Sequence, residues 1–123
     1  MAILSYPYCP SLTHYERWRT RAVRIGNIGI GGDHPIRVQS MTTTDTMDTA
    51  ATVAQSIRMI EAGCELVRIT APSKKEAENL ATIKKQLRAA GFDTPLVADI
   101  HFTPNAAEVA ARIVEKVRVN PGN

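Results

Sequence analysis

The sequence predicts an α/β fold in which parallel strands alternate with helices, and three features predict it. Two Ala-Gly pairs, Ala62-Gly63 and Ala90-Gly91, each end a stretch of helical periodicity and are followed within a few residues by an apolar strand. Each of these strands leads in turn into a helix-capping residue. Near the ends of three strands, every second residue is polar. Repeats of this kind are typical of parallel strands joined by right-handed crossovers.

In length and composition the chain resembles one modest globular domain, with 123 residues, 44% of them hydrophobic, and a formal charge of +3. Lys and Arg are spread along the chain, which fits a phosphate-bearing small substrate as well as nucleic acid. Cys9 and Cys64 have neither zinc-binding nor disulfide-framework spacing. No signal peptide and no apolar run of the roughly 18 residues needed to span a membrane is found, so a cytoplasmic protein without a membrane partner is expected.

Residues 1–21 are interpreted as an N-terminal extension. They contain most of the aromatic residues and are followed by arginines, a combination that could bind nucleic acid through stacking and phosphate contacts. No nucleic-acid-binding motif follows. We therefore favour an arm that packs on its own or a neighbouring domain, and we predict no nucleic-acid partner.

A glycine-rich segment, residues 26–35, lies between two predicted strands, residues 22–25 and 36–41. Glycine-rich loops bind phosphate when they run from a strand directly into a helix. Because this segment connects strand to strand, it is interpreted as a β-hairpin region with Gly and Asn/Asp turns.

Capping signals place the first two helices. The first is capped by Asp45 or a following threonine, runs to about Ala62, and is expected to bury a stripe of Ala50, Val53, Ile57 and Ile60. The second begins at Ser73, with Glu76 at capping-box spacing, and ends at Gly91. Its expected stripe is Ala77, Leu80, Ile83, Leu87 and Ala90.

A third helix is predicted over residues 104–114, beginning with a threonine cap and a proline. Three predicted strands end with polar residues at every second position. Since successive side chains of a strand face opposite sides, the polar residues of each strand share one face. These residues are Arg68 and Thr70, then Asp99 and His101, then Arg118 and Asn120. Central strands of an open sheet are apolar on both faces, whereas polar carboxyl ends are typical of a TIM-barrel mouth. The pattern therefore favours a barrel.

Four strand segments, counted from residues 36–41 to 117–120, cannot close an eight-stranded barrel. We therefore predict that residues 22–123 are the N-terminal part of a (β/α)8 barrel. Parallel (β/α) units form about half of a TIM barrel, preceded by the N-terminal β-hairpin. On this interpretation the chain is a fragment of a longer enzyme.

Five motifs resemble, in order and spacing, the N-terminal half-barrel of the 4-hydroxy-3-methylbut-2-enyl diphosphate synthase family. They are IRVQSMTTTDT (36–46), EAGCELVRIT (61–70), KKEAENL (74–80), PLVADIHF (95–102) and VRVNPGN (117–123). The extension YCPSLTHYERWRTR (8–21) is similar to that of the three-domain form of the family.

The resemblance implies an iron-sulfur oxidoreductase of non-mevalonate isoprenoid biosynthesis. In that family the barrel binds 2-C-methyl-D-erythritol 2,4-cyclodiphosphate, and two electrons from ferredoxin or flavodoxin open the ring and remove a hydroxyl. A C-terminal domain binds the four-iron four-sulfur cluster through three cysteines and a glutamate. Cys9 and Cys64 do not match that motif, so the cluster ligands are expected outside this chain and the fragment alone is expected to be inactive. A homodimer is left open.

By the same resemblance, Arg68 and Arg118 correspond to residues that bind the diphosphate. A guanidinium offers a planar fork of permanent charge to phosphate oxygens. An internal ion pair, for instance Arg68 with Asp99, is the alternative role. Asp99 and His101 are the candidate catalytic residues, because an imidazole can relay a proton near neutral pH and a carboxylate can orient it. A purely structural polar network remains the alternative for these two.

Three further residues, Asn120, Gln39 and Met41, are predicted to bind substrate, with plain core or turn roles as the alternative. Two other functions compete with the synthase interpretation. One is a dihydropteroate synthase-like barrel that binds a phosphorylated or pterin substrate. The other is a basic RNA-binding module.

Overall fold

A parallel four-stranded sheet, covered by three helices on one face, forms the body of the computed structural model, which describes residues 11–101 and 103–122. An antiparallel hairpin precedes it. In chain order the elements are β1 (Val23–Ile25), β2 (Ile28–Ile30), β3 (Gln39–Met41), α1 (Thr49–Glu61), β4 (Leu66–Ala71), α2 (Lys74–Ala89), β5 (Leu96–Ile100), α3 (Pro104–Ala111) and β6 (Lys116–Arg118).

The sheet order is sequential, β3-β4-β5-β6, and all three pairings are parallel. Met41 lies opposite Arg68, Thr70 opposite Asp99, and Asp99 opposite Arg118. A doubly wound sheet reverses its strand order and carries helices on both faces, whereas sequential strands with helices on one face are the arrangement of a barrel wall. The predicted part-barrel of β/α units is therefore confirmed, and the described strands do not close into a complete barrel.

The main core lies between the sheet and the helices. It contains Val67, Ile69 and Ala71 from β4, Leu96, Ala98 and Ile100 from β5, and Ala77, Leu80, Ile83 and Leu87 from α2. The apolar stripe predicted for α2 is thus buried as expected, except that Ala90 is the exposed C-cap residue.

Helix α1 differs from the prediction at its start and on its buried face. Asp48 is the N-cap, in place of Asp45 or the threonine that follows it, and its side chain accepts the amide N–H three residues on at 3.1 Å. Ala50 is exposed, and Thr52 and Ser56 are the fully buried residues of the helix. Both buried hydroxyls donate to backbone carbonyls, which offsets the cost of removing them from water.

The start of α2 and the end of α3 also differ from the prediction. Ser73 is the N-cap of α2, but its hydroxyl donates to the Glu76 carboxylate in place of accepting a backbone N–H. This hydrogen bond is the main reason that the pKa of Glu76 lies below its ordinary value. Helix α3 ends at Ala111, three residues before the predicted end, because the chain turns there so that Val114 packs into the core.

The predicted hairpin is present, but its second strand begins earlier in the sequence than expected. The second strand is Ile28–Ile30, inside the glycine-rich segment, and Gly26 provides the reversal with a φ of 59°. Within residues 36–41, only Gln39–Met41 is a strand, and it belongs to the parallel sheet.

The hairpin covers the amino-terminal part of the sheet face that the helices leave free. Ile25 packs there against Leu66 and Val97, with Ile28 and Ile30 at the margin. We call these five residues the apolar floor, because they lie beneath the polar ends of the strands. Their burial places a second, smaller core on the face that would be the inside of a barrel.

Arg37 attaches the hairpin to the sheet. Its Nε donates to the Gly29 carbonyl at 2.8 Å, and its Nη1 lies 2.7 Å from Glu65 Oε2. The Val38 N–H and then the Arg37 guanidinium hydrogen-bond to Glu65 and lower the pKa of this carboxyl. The segment before β3 is thereby fixed to the start of β4.

The arm before the hairpin, residues 11–20, is irregular and mostly exposed. Its contacts with the hairpin region include two hydrogen bonds and an ion pair: Arg17 Nη1 donates to the His34 carbonyl at 2.7 Å, the Thr20 hydroxyl accepts from the Gly32 N–H at 3.0 Å, and Arg19 Nη2 lies 3.6 Å from Asp33 Oδ2. Cys9 and the remainder of residues 1–10 lie outside the described residues. In the ranges that the structure covers, no helix is long and apolar enough to cross a membrane.

Glu115 ties three elements together at the amino-terminal end of the sheet. Its Oε1 lies 2.9 Å from both Lys84 Nζ and Arg88 Nη2, and its Oε2 accepts the Leu96 N–H at 2.8 Å. Burial alone would raise the pKa of Glu115, but the Leu96 N–H and the Lys84 ammonium together hold it below 4.5, its ordinary value. The folded state therefore favours the ionised carboxylate.

Glu115→Gln is expected to lower the free energy of unfolding by about 2 kcal/mol near pH 7, the scale of charge-assisted hydrogen bonds. The carboxylate stabilises the fold fully above about pH 4.5 and loses this effect as the pH falls through the lowered folded-state pKa. Urea unfolding at a series of pH values should show the two proteins converging in acid. Glu108→Gln, at an exposed position of α3, is the control, and equal pH-independent losses in both variants would contradict the prediction.

Candidate anion-binding site

Asp99 is the centre of a polar cluster at the carboxyl end of β5, on the sheet face opposite the helices. Its side chain is 2% exposed. Arg68 Nη2 lies 2.8 Å from Asp99 Oδ2, and Arg118 Nη1 donates to Asp99 Oδ1 at 3.1 Å. His101 Nε2 lies 3.3 Å from Oδ2. The structure therefore brings together the two predicted diphosphate ligands and the two predicted catalytic residues.

Strand geometry explains this convergence. Asp99 and His101 are two residues apart in sequence, at the end of β5, so their side chains lie on the same face. The parallel register puts Arg118 directly beside Asp99 on one neighbouring strand. On the other neighbouring strand, Arg68 lies two residues before the position opposite Asp99, and its long side chain spans this offset.

The cluster carries more positive than negative charge. Two guanidinium groups against one carboxylate leave a formal charge of +1 when His101 is neutral. A buried carboxylate is tolerated when it is paired, and Asp99 holds both arginines in place. The side chains of Arg68 and Arg118 are 26% and 39% exposed, so part of each guanidinium side chain remains accessible from solvent. Among the described residues, Arg68 Nε is the buried side-chain polar atom without a hydrogen-bond partner.

The ion pair between Arg68 and Asp99, considered above as the alternative to ligand binding, is present. It does not occupy all five N–H groups of the guanidinium. The pair and an anion-binding role are compatible, because a carboxylate that orients an arginine in the free protein also presents its other donors to a ligand.

The remaining predicted substrate ligands lie apart from Asp99. Asn120 lines an open cleft of about 270 Å³ together with Ile100 and Thr103, and its Oδ1 accepts the Gly122 N–H at 2.9 Å, which is a turn contact. Met41 is partly exposed beside Arg68. Gln39 lies opposite Leu66, at the level of the apolar floor. Substrate binding by these three residues stays a prediction.

The loop between β3 and α1, residues 42–48, also lies at this edge of the sheet. The sequence predicted a helix cap at Asp45 or a following threonine in this loop, but no residue that borders the candidate site. In the structure Thr42 and Thr46 are buried, and Asn79 of α2 hydrogen-bonds to the loop. A run of threonines beside a helix is a weak signal, because it does not show which hydroxyls are buried.

A metal or cluster site is not formed by the residues that the structure covers. No group of three or more His, Cys, Asp or Glu side chains there could hold a metal ion. Cys64, the one cysteine among them, is free and half-buried. An iron-sulfur cluster therefore does not fit these residues.

Sequential parallel β/α units, an apolar floor and a charged cluster at the carboxyl ends of the strands define part of a β/α-barrel domain. Residues 20–123 match the family model described as the GcpE TIM-barrel domain, and the chain belongs to this family. This match favours the synthase-type barrel over the pterin-binding barrel and the RNA-binding module considered above.

Three curated relatives are each named 4-hydroxy-3-methylbut-2-en-1-yl diphosphate synthase (flavodoxin). The Akkermansia muciniphila protein is 57% identical over 116 residues, which cover 94% of this chain and 20% of the relative. The Parabacteroides distasonis protein is 58% identical over 110 residues, covering 89% and 18%. The Chlorobaculum tepidum protein is 54% identical over 121 residues, covering 98% and 16%. The chain thus spans a fifth or less of the length of these relatives.

Proposed function

We propose that this chain supplies part of the diphosphate-binding site of a 4-hydroxy-3-methylbut-2-en-1-yl diphosphate synthase. The enzyme would convert 2-C-methyl-D-erythritol 2,4-cyclodiphosphate to 4-hydroxy-3-methylbut-2-enyl diphosphate in non-mevalonate isoprenoid biosynthesis. The observation that carries the proposal is the pair of arginines held by one buried carboxylate, Asp99, at the mouth of a barrel of this family.

The geometry suits a diphosphate. Arg68 and Arg118 approach Asp99 from opposite neighbouring strands and bind different carboxylate oxygens, so both guanidinium groups lie beside the same carboxylate. A diphosphate with several anionic oxygens could contact both forks at once. Because Asp99 neutralises only one of the two guanidinium charges, the cluster keeps a formal charge of +1 that favours an anionic ligand.

His101 and Asp99 are proposed to act on the hydroxyl side of the reaction. In the conversion two electrons enter, the carbon–oxygen bond to one phosphate breaks, and the hydroxyl group takes up a proton and leaves as water. His101 Nε2 lies 3.3 Å from Asp99 Oδ2, so the carboxylate can orient the ring. The imidazole would hold the substrate hydroxyl or deliver the proton to it.

The two electrons of the reaction would come from parts of the enzyme outside this chain. We propose that a four-iron four-sulfur cluster, bound outside this chain, takes electrons from flavodoxin, as the names of the relatives indicate for those proteins, with ferredoxin as the other candidate donor. Residues 1–21 would be an extension, and residues 22–123 would be the first part of the barrel. A cytoplasmic location completes the proposal.

Arg118→Ala is expected to weaken binding of the cyclodiphosphate by at least about tenfold in the full-length enzyme, the scale of one lost charge-assisted bond. Isothermal titration calorimetry measures the affinity directly. Arg112→Ala is the matched control, because it removes the same charge from an exposed position after α3. Equal affinities of the Arg118 variant and the parent enzyme would remove Arg118 from the site.

A further inference from the structure

The loop between β3 and α1, residues 42–48, forms the rim of the anion site next to Arg68. The Thr42 N–H donates to the Arg68 carbonyl at 2.9 Å, which continues the β3–β4 ladder by one bond. The Thr46 hydroxyl then donates to the Thr70 carbonyl at 2.6 Å. Since the paired part of β3 ends at Met41, the Thr46 side chain takes the place of a strand amide at this carbonyl.

Helix α2 holds the same loop from its other side. Asn79 Nδ2 donates to the Thr46 carbonyl at 2.8 Å and to the Thr49 hydroxyl at 2.9 Å. Thr46 is therefore fixed through its side chain to β4 and through its backbone to α2. We call the Thr46 and Asn79 contacts the rim latch.

Helix α1 adds a buried contact behind the rim latch. Thr52 is fully buried. Its hydroxyl donates to the Asp45 carbonyl at 3.0 Å, and its hydroxyl oxygen lies 2.7 Å from that of Thr44. Buried hydroxyls are costly unless they are hydrogen-bonded, and a satisfied network of this kind specifies one arrangement of the chain. The loop is thus held by three different elements.

The rim loop lies against the end of β4, where it contacts the backbone on either side of Ile69. The loop binds two β4 carbonyls: that of Arg68 through the Thr42 N–H, and that of Thr70 through the Thr46 hydroxyl of the rim latch. The side chains of Arg68 and Thr70 face the barrel interior beside Asp99. An open cleft of about 330 Å³ lies between the loop, Thr70 and Glu76. A shift of the loop would therefore change both the backbone beside Arg68 and the wall next to the anion site.

We propose that Thr46 and Asn79 are positioning residues, which hold the rim loop so that Arg68 presents its free N–H groups to the ligand in a fixed arrangement. The proposal rests on the proposed function, because it assigns these residues to the same anion site. Neither residue needs to touch the ligand.

The test compares Thr46→Val with Thr46→Ser in the full-length protein. Valine keeps the shape of threonine without the hydroxyl, whereas serine keeps the donor. Titration with inorganic pyrophosphate should show about fivefold weaker binding for the valine variant, equivalent to one lost hydrogen bond, and near-parental binding for the serine variant. Hydrogen exchange of the loop amides should be faster in the valine variant alone.

Ser56→Ala controls for a general loss of stability. It also removes a buried hydroxyl, but this one lies within α1 and donates to the Thr52 carbonyl of the same helix. We expect this variant to melt at a lower temperature and to bind pyrophosphate as the parent does. If Thr46→Val does not fold, Asn79→Asp provides the same comparison, because it removes both donated bonds at a half-buried position.

The outcomes separate the two proposals. Parental affinity and parental loop exchange in a folded Thr46→Val protein would overturn the positioning role and leave the proposed function intact. Weaker binding in Ser56→Ala to the same extent would also overturn it, because the effect would then follow stability. Failure of the unsubstituted protein to bind either pyrophosphate or the cyclodiphosphate would contradict the proposed function, and the positioning role with it.

Discussion

Asp99→Ala is expected to lower the free energy of unfolding by about 3 kcal/mol, the lower end of the cost of breaking a buried ion pair. The substitution leaves Arg68 and Arg118 facing each other across a buried site without the carboxylate that binds both. The lower end applies because both guanidinium groups retain some contact with water. Chemical denaturation of the parent and variant proteins measures the difference.

Two further variants separate charge from packing. Asp99→Asn keeps the size of the side chain but offers one acceptor oxygen, so it should accept from one arginine and recover only part of the loss. Asp33→Ala is the control for an exposed ion pair, since Asp33 lies 3.6 Å from Arg19 with both side chains exposed. Exposed pairs contribute roughly 0–1 kcal/mol. Similar losses in Asp99→Ala and Asp33→Ala would show that the buried cluster contributes little.

Leu80→Ala is expected to cost about 2–5 kcal/mol, because it leaves a cavity in the main core as well as losing buried apolar surface. Leu80 is fully buried on α2, in the cluster that joins this helix to the sheet. Denaturant titration should show a lower midpoint with an unchanged slope.

Leu12→Ala is the matched control, because the same atoms are removed from a side chain that is 98% exposed. Its effect should stay within about 0.5 kcal/mol, as for most surface substitutions. A small effect at Leu80 would mean that the core rearranges to fill the space, and it would contradict the rigid packing between α2 and the sheet.

Regular apolar periodicity predicted the parts of the fold that follow it. The buried stripe of α2 has leucine, isoleucine and alanine at helical spacing, and the structure buries these residues apart from Ala90. Helix α1 departed from the prediction because its most buried positions are Thr52 and Ser56, whose hydroxyls find backbone acceptors. A count of apolar residues cannot detect a buried hydroxyl of this kind.

The alternation of side chains along strands predicted the shared face of Arg68, Asp99 and Arg118. It could not predict the distances between them, because those depend on the register of separate parallel strands. The hairpin shows the same limit: its second strand lies within the glycine-rich segment and was not predicted, and its pairing with the first strand depends on the positive φ of Gly26. Local pattern indicates which way a side chain faces, whereas contacts between distant segments decide what it meets.

The apolar floor has a consequence for how ligand affinity responds to ionic strength. Ile25, Leu66 and Val97 exclude water and salt ions from the space under the strand ends. At 0.1 M salt, mobile ions largely screen the interaction between exposed charges that are more than about 10 Å apart, and they screen partly buried charges much less. In the proposed complex, attraction between the two arginines and a diphosphate is therefore expected to persist at salt concentrations that abolish binding to exposed arginines, and added salt should slow association more than it speeds release.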